Sequence, residues 1–204
     1  MAIISDGTTI ADAGAFSASL GSMVLIKTVT ASSSSTISFV DGASSVVLDS
    51  TYPIYVFKFI NIHPASNGEY FEFNMSVDTG SNYNVTKTST SFQAYHSEDD
   101  SSTSLAYMAG QDKAQSTAFH HISYNQSNAN DASASGELFL YNPSSTTFVK
   151  HFICRNSTDT DDYSVDSHHA GYGNTTSAID AVQFKMTSGN IDAGTIKLYG
   201  IKDS

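Results

Sequence analysis

One cysteine, three prolines and no tryptophan occur among the 204 residues of this chain. A lone Cys154 excludes an intramolecular disulfide and any zinc-ribbon ligand set. So little proline excludes collagen-like and Pro-rich classes. Charged residues make up only 14%, with Ser, Thr and Asn in their place, so coiled coils and long solvated helices are excluded too. No apolar run is long enough to cross a bilayer as a helix. Positive charge is scarcest: Lys+Arg 9 against Asp+Glu 20 leaves a formal net charge of -11. Phosphate backbones and anionic lipids repel such a surface, so neither nucleic acid nor membrane is an expected partner. Met1 to Leu20 has no cationic n-region and no continuous apolar core. It does not read as a secretory signal, and folding in a cytosol is expected.

Against these absences stand 40% hydrophobic and 11% aromatic residues, enough for a self-sufficient core. From Met23 the chain alternates between β-rich runs and turns. Met23–Val29, Thr36–Val40, Val46–Leu48, Ile54–Ile62, Glu69–Val77 and Val85–His96 read as strands. So do Ala118–Tyr124, Gly136–Tyr141, Thr147–Cys154, Ala181–Met186 and Thr195–Ile201. Asp41-Gly42 and Asn67-Gly68 are the strongest turn signals between them. Ser97–Ser104, Asn125–Ser135 and Asn156–Asp166 read as polar loops, and Ala109–Ala118 is the one candidate for a helical turn. In Glu69–Val77 the alternation predicts Phe71, Phe73, Met75 and Val77 inside, with Tyr70, Glu72, Asn74 and Ser76 in water. The spacing predicts an all-β, antiparallel β-sandwich of the jelly-roll type. Its core is expected to hold Phe57, Phe59, Phe71, Phe73, Phe139, Phe152, Phe184 and Leu198.

Residues 1–22 differ from the sandwich assigned to 23–204. They scatter a few apolar side chains among Ala, Gly and Ser, too few to repay their ordering alone. Ile3, Ile4, Ile10, Phe16 and Leu20 are therefore expected to anchor this arm on a partner. An extra edge strand of the sandwich is the plainer alternative.

Candidate chemistry is sparse. His120-His121 and His168-His169 are adjacent pairs, so on strands each pair divides between opposite faces. Neither has the spacing of a two-ligand metal face. Cys154 reads as a small buried strand residue, with His151 on the opposite side. Asp159, Asp161 and Asp162 offer hard oxygen ligands in a loop, which makes calcium the one cofactor left open, with none as the plain expectation. No Gly-x-Ser-x-Gly, P-loop or Rossmann fingerprint is present. An enzyme is not expected, and no single histidine nor Cys154 should be essential.

Several phrases carry a resemblance. Met23-Val24-Leu25-Ile26-Lys27-Thr28, Asp49-Ser50-Thr51-Tyr52 and Phe59-Ile60-Asn61-Ile62-His63-Pro64 are three of them. Others are Asp78-Thr79-Gly80-Ser81-Asn82-Tyr83, Asn142-Pro143-Ser144-Ser145-Thr146 and Ala170-Gly171-Tyr172-Gly173-Asn174-Thr175-Thr176. With the ending from Gly189 to Ile201, they make the chain similar to virion structural proteins of tailed phages, especially those of marine and cyanobacterial hosts. The resemblance implies a tail-fibre or capsid-decoration role in the virion, after assembly in host cytoplasm. It also implies other virion proteins as partners, a homotrimer, and a host-surface glycan as a further ligand. It carries no catalytic motif, although a jelly-roll depolymerase remains the alternative from a different class.

Overall fold

The computed structural model describes residues 22–202, together with the backbone of three short strands before them. Those strands, β1 (Ile3–Ser5), β2 (Thr8–Asp12) and β3 (Ala15–Phe16), pair antiparallel with one another. Of the expected anchoring residues, Ile3, Ile4, Ile10 and Phe16 fall on these strands, and Leu20 lies outside the described residues.

Thirteen strands follow. They begin with β4 (Met23–Thr30), β5 (Ile37–Val40), β6 (Ile54–Pro64), β7 (Phe71–Ser76), β8 (Lys87–Ser97) and β9 (Thr103–Tyr107). The rest are β10 (Lys113–Ser116), β11 (His120–His121), β12 (Ala134–Tyr141), β13 (Lys150–Asp159), β14 (Tyr163–Gly173), β15 (Ala181–Met186) and β16 (Ile191–Ile201). Nine of them form one sheet in the order β10-β8-β14-β13-β12-β6-β16-β4, with β9 also paired to β8. The other four make the sheet β11-β7-β15-β5. All pairings are antiparallel, and no helix occurs among the described residues. The molecule is an all-β, two-sheet sandwich, divided nine to four rather than evenly.

The core follows the period of two. Phe57 and Phe59 of β6, Phe39 of β5, Phe71 and Phe73 of β7 and Phe184 of β15 are all buried. Phe184 is the hub: its ring centroid lies 5.2 Å from Phe57 and 5.3 Å from Phe59, edge-on to both. Each such ring stabilises by roughly 1.5–3 kcal/mol through burial alone. Phe152 and Leu198 also join the core. Phe139 does not: it pairs with Ile153 and Val56 on the opposite face of the large sheet, half-buried.

Other expectations are corrected. Val46 and Leu48 enter the core from an irregular segment, where Leu48 N donates to Asp41 Oδ1, so burial there needs no strand. Ala109–Ala118 makes a single turn, with Gln111 N donating to the Met108 carbonyl, and then the edge strand β10. Asn156–Asp166 is no loop but the β13–β14 hairpin around a tight turn at 160–162. Every residue of β7 from Phe71 to Ser76 is buried, including Glu72, Asn74 and Ser76, while Val77 is exposed. The supposedly wet face of that strand is covered.

Candidate functional site: an outer sheet face over a polar interior

Register carries Thr90, Ala170, Ile153, Phe139, Val56, Tyr199 and Leu25 across seven neighbouring strands as one rung. These side chains point away from the Phe184 cluster, although Val56 in the middle of the rung is itself fully buried. Leu25 and Ile153 remain about half exposed, at 51% and 50%. The next rung carries Thr88, Tyr172 and His151, and further along Tyr141, Ile54, Ile201 and Met23. Where the two rungs cross β14, the small Ala170 sits among larger neighbours. The result is a depression of about 440 Å³ walled by Tyr141, His151, Ile153 and Tyr172. Aromatic walls of this kind offer flat apolar faces with polar tips.

On the other side of the first rung lies a third of different character. Phe92 stacks on His168, with ring centroids 4.8 Å apart and planes 5° from parallel, and Phe92 pairs in register with exposed Tyr107. Arg155 grips Asp166 through both Nε (2.9 Å) and Nη2 (2.8 Å). Those bonds hold the Asp166 carboxyl below the usual carboxylate range. Lys58 pairs with Glu137 at 3.3 Å. Exposed pairs like these add little stability, but they order the surface beside the apolar rungs.

Inside, beneath β8, β14 and β13, the core changes character. Ser91 pairs in register with His169 and Gln93 with Ser167; Cys154 faces His169 and Asn156 faces Ser167 from the next strand. All six are buried. His120 of β11 closes the group, its ring edge-on to His169 at 5.3 Å. Its Nδ1 lies 2.6 Å from the His121 carbonyl and so carries the proton, which leaves Nε2 as the free acceptor. No partner within the described residues meets His120 Nε2, either ring nitrogen of His169, Ser91 Oγ, Ser167 Oγ or Gln93 Oε1. Burial pushes His169 down to about 3 and His120 well below its ordinary value, so both rings are neutral. Burial likewise pushes the Cys154 thiol far up, which makes it inert as a nucleophile.

A second polar cluster covers the small sheet. Glu72, the one buried carboxylate among the described residues, meets Lys185 Nζ at 2.7 Å and His121 Nε2 at 3.5 Å. Lys185 also lies over the Phe119 ring, 4.7 Å from its centroid. Lys87 and Lys150, both fully buried, flank Gly173 on the same rung of β8, β14 and β13. The Lys150 ammonium donates to the carbonyls of Phe148 and Thr175. Lys87 donates to Asn74 Oδ1 and to the Val85 carbonyl.

Asp159 ends β13 and accepts from Asp161 N at 2.9 Å through Oδ1, while Asp161 and Asp162 are exposed in the turn. No group of three or more His, Cys, Asp or Glu side chains among the described residues stands close enough to hold a metal ion. The two histidine pairs do divide between faces, but folding brings His120 to His169, which are 49 positions apart in the chain. Sequence reading missed that meeting, the lysine rung and the outer apolar rungs. The lysines had a signal: each opens a strand whose later alternate residues point inward.

No protein-family model matches this sequence, and no curated protein or solved structure does either.

Proposed function

We propose that this chain is a virion structural protein of an exposed phage tail appendage, a tail-fibre or adhesion component that works by its surfaces rather than by catalysis. The observation that carries this reading is the outer face of the large sheet. Two consecutive rungs of apolar and aromatic side chains run across it, with Leu25, Ile153 and Met23 still open to solvent. Large apolar side chains left open on one sheet face, Met23 and Leu25 on β4 and Ile153 on β13, mark it as an interaction face. The catalytic alternative has less behind it: the buried histidines are neutral and enclosed, and the only cysteine is inert. The resemblance to marine and cyanobacterial phage proteins supplies the virion context, with neighbouring virion proteins as first partners and a host-surface glycan as the ligand of the Tyr141–Tyr172 depression.

Cryo-electron microscopy of intact virions tests the location. Density for this sandwich at the tail is expected; density on the capsid lattice would replace the tail reading with capsid decoration. The face itself is tested by Leu25→Asp with Ile153→Asp. The double variant should fold with an unchanged melting temperature and fail to join virions. Normal incorporation would reject the outer face as the working surface.

A further inference from the structure

Asn74 and Lys87 stand in contact across the edge of the sandwich, one on the small sheet and the other on the large one. Lys87 Nζ lies 2.5 Å from Asn74 Oδ1, and both residues are fully buried. A lysine sealed in a protein interior ordinarily has a carboxylate as its direct partner. Here the partners are an amide oxygen and the Val85 carbonyl at 2.8 Å. The amide is held as firmly. Its Oδ1 also accepts from Met75 N at 2.9 Å, and its Nδ2 donates to the carbonyls of Tyr83 (2.5 Å) and Thr117 (2.9 Å).

We propose that Lys87 and Asn74 join spontaneously in the folded chain, forming an intramolecular isopeptide bond between Nζ and Cγ with release of ammonia. The neutral amine attacks Cγ through its lone pair, and the carbonyl π electrons move onto Oδ1. Met75 N–H already points at that oxygen and stabilises the charge that develops on it. In the tetrahedral intermediate Nζ and Nδ2 share one carbon. The proton that Nζ gives up is the one Nδ2 takes on, the Cγ–Nδ2 bond breaks with its electron pair leaving on ammonia, and the Oδ1 lone pair re-forms the carbonyl. Amine plus primary amide gives secondary amide plus ammonia; nothing is oxidised or reduced and no co-reactant is needed. The fold supplies what the reaction lacks in water, namely two reactants held in place and a site without competing solvent.

Protonation also suits the step. Burial pulls the Lys87 ammonium down to about 7, with Lys113 adding to the fall and Glu72 opposing it, so a large share carries a lone pair at neutral pH. The product ties β7 to β8 and closes the turn between them. In a chain with one cysteine, it is a covalent staple that no reductant opens. The inference does not rest on the virion reading.

Denaturing mass spectrometry of the folded full-length chain, held at neutral pH, tests it directly. The expected mass is lighter than that of the sequence by one ammonia. Trypsin should then leave the Lys87–Thr88 bond uncut, and further cleavage at Asp78 should leave two fragments still joined. Lys87→Arg should carry its full sequence mass. Asn74→Asp should lose one water instead and arrive at the same final product, which separates bond formation from any loss of folding in the arginine variant. A folded wild-type chain with its full sequence mass and a tryptic cut after Lys87 would overturn the proposal and leave an ordinary buried hydrogen bond.

Discussion

His169 keeps both ring nitrogens without partners among the described residues, in a pocket shared with His120, Cys154, Ser91 and Ser167. Burial, with His121, His168 and Lys113 as the nearby charges that oppose protonation, holds it near 3 against an ordinary value of 6.5. The unfolded chain therefore takes up this proton as pH falls below 6.5, while the folded chain does not until about 3. Above 6.5 the residue has no effect on stability; below it the folded state loses ground at about 1.4 kcal/mol per pH unit. Going from pH 7 to pH 5 should cost the wild type about 2 kcal/mol through this side chain alone. Urea denaturation of wild type and His169→Gln at both pH values checks this. A variant whose stability falls by as much as the wild type would assign the acid sensitivity elsewhere.

Among the elements, β16 illustrates how one missing side chain fixes a packing arrangement. It lies between β6 and β4, and at Gly200 the ring of Tyr52 rests directly on the backbone: a Cβ there would come within 2.3 Å of Tyr52 Cγ and Cδ2. Tyr52 in turn stands edge-on to buried Tyr55, with centroids 5.7 Å apart. Gly200→Val should displace the Tyr52 ring and destabilise the fold by about 1–3 kcal/mol, as overpacking does. Restoring space with Tyr52→Ala in the same chain should recover part of that loss. Equal melting temperatures for wild type and Gly200→Val would show that the ring moves at no cost. The strand β7 teaches a related point. Its Phe71 and Phe73 pack inward as alternation predicts, but Glu72 and Asn74 are covered too, because Lys185, His121 and the segment through Thr117 meet them from outside.

For the molecule as a whole, deleting the N-terminal residues 1–22 tests the proposed anchoring role apart from folding. Among the described residues, the sandwich strands from β4 onward pair with one another, and β1, β2 and β3 pair among themselves. If the proposed virion and trimer roles hold, deleting residues 1–22 should leave a folded sandwich with nearly the same melting temperature and remove both homotrimer formation and virion attachment. Light scattering and virion incorporation read those two effects. A truncated chain that unfolds or aggregates would make the segment part of the fold, and the anchoring role of Ile3, Ile4, Ile10, Phe16 and Leu20 would fall with it.

Composition and alternation determined the class on their own. Scarce charge, one cysteine and runs such as Phe71–Met75 leave an all-β sandwich as the fitting solution, and seven of the eight expected core residues are buried where the period of two puts them. The same period tells which residues share a face, not which face lies inside. That is read from contrast in polarity, and β8, β13 and β14 offer little: Ser89, Ser91 and Gln93 face inward, while Phe92 and Ile153 face out. Only the tertiary structure decided their direction, because the covering segment from Lys113 to Ser127 buries a polar surface that no local signal marks. The meetings of His120 with His169 and of Lys87 with Asn74 have the same origin. Each joins residues of different sheets, and sheet packing, unlike strand formation, is set by contacts distant in the chain.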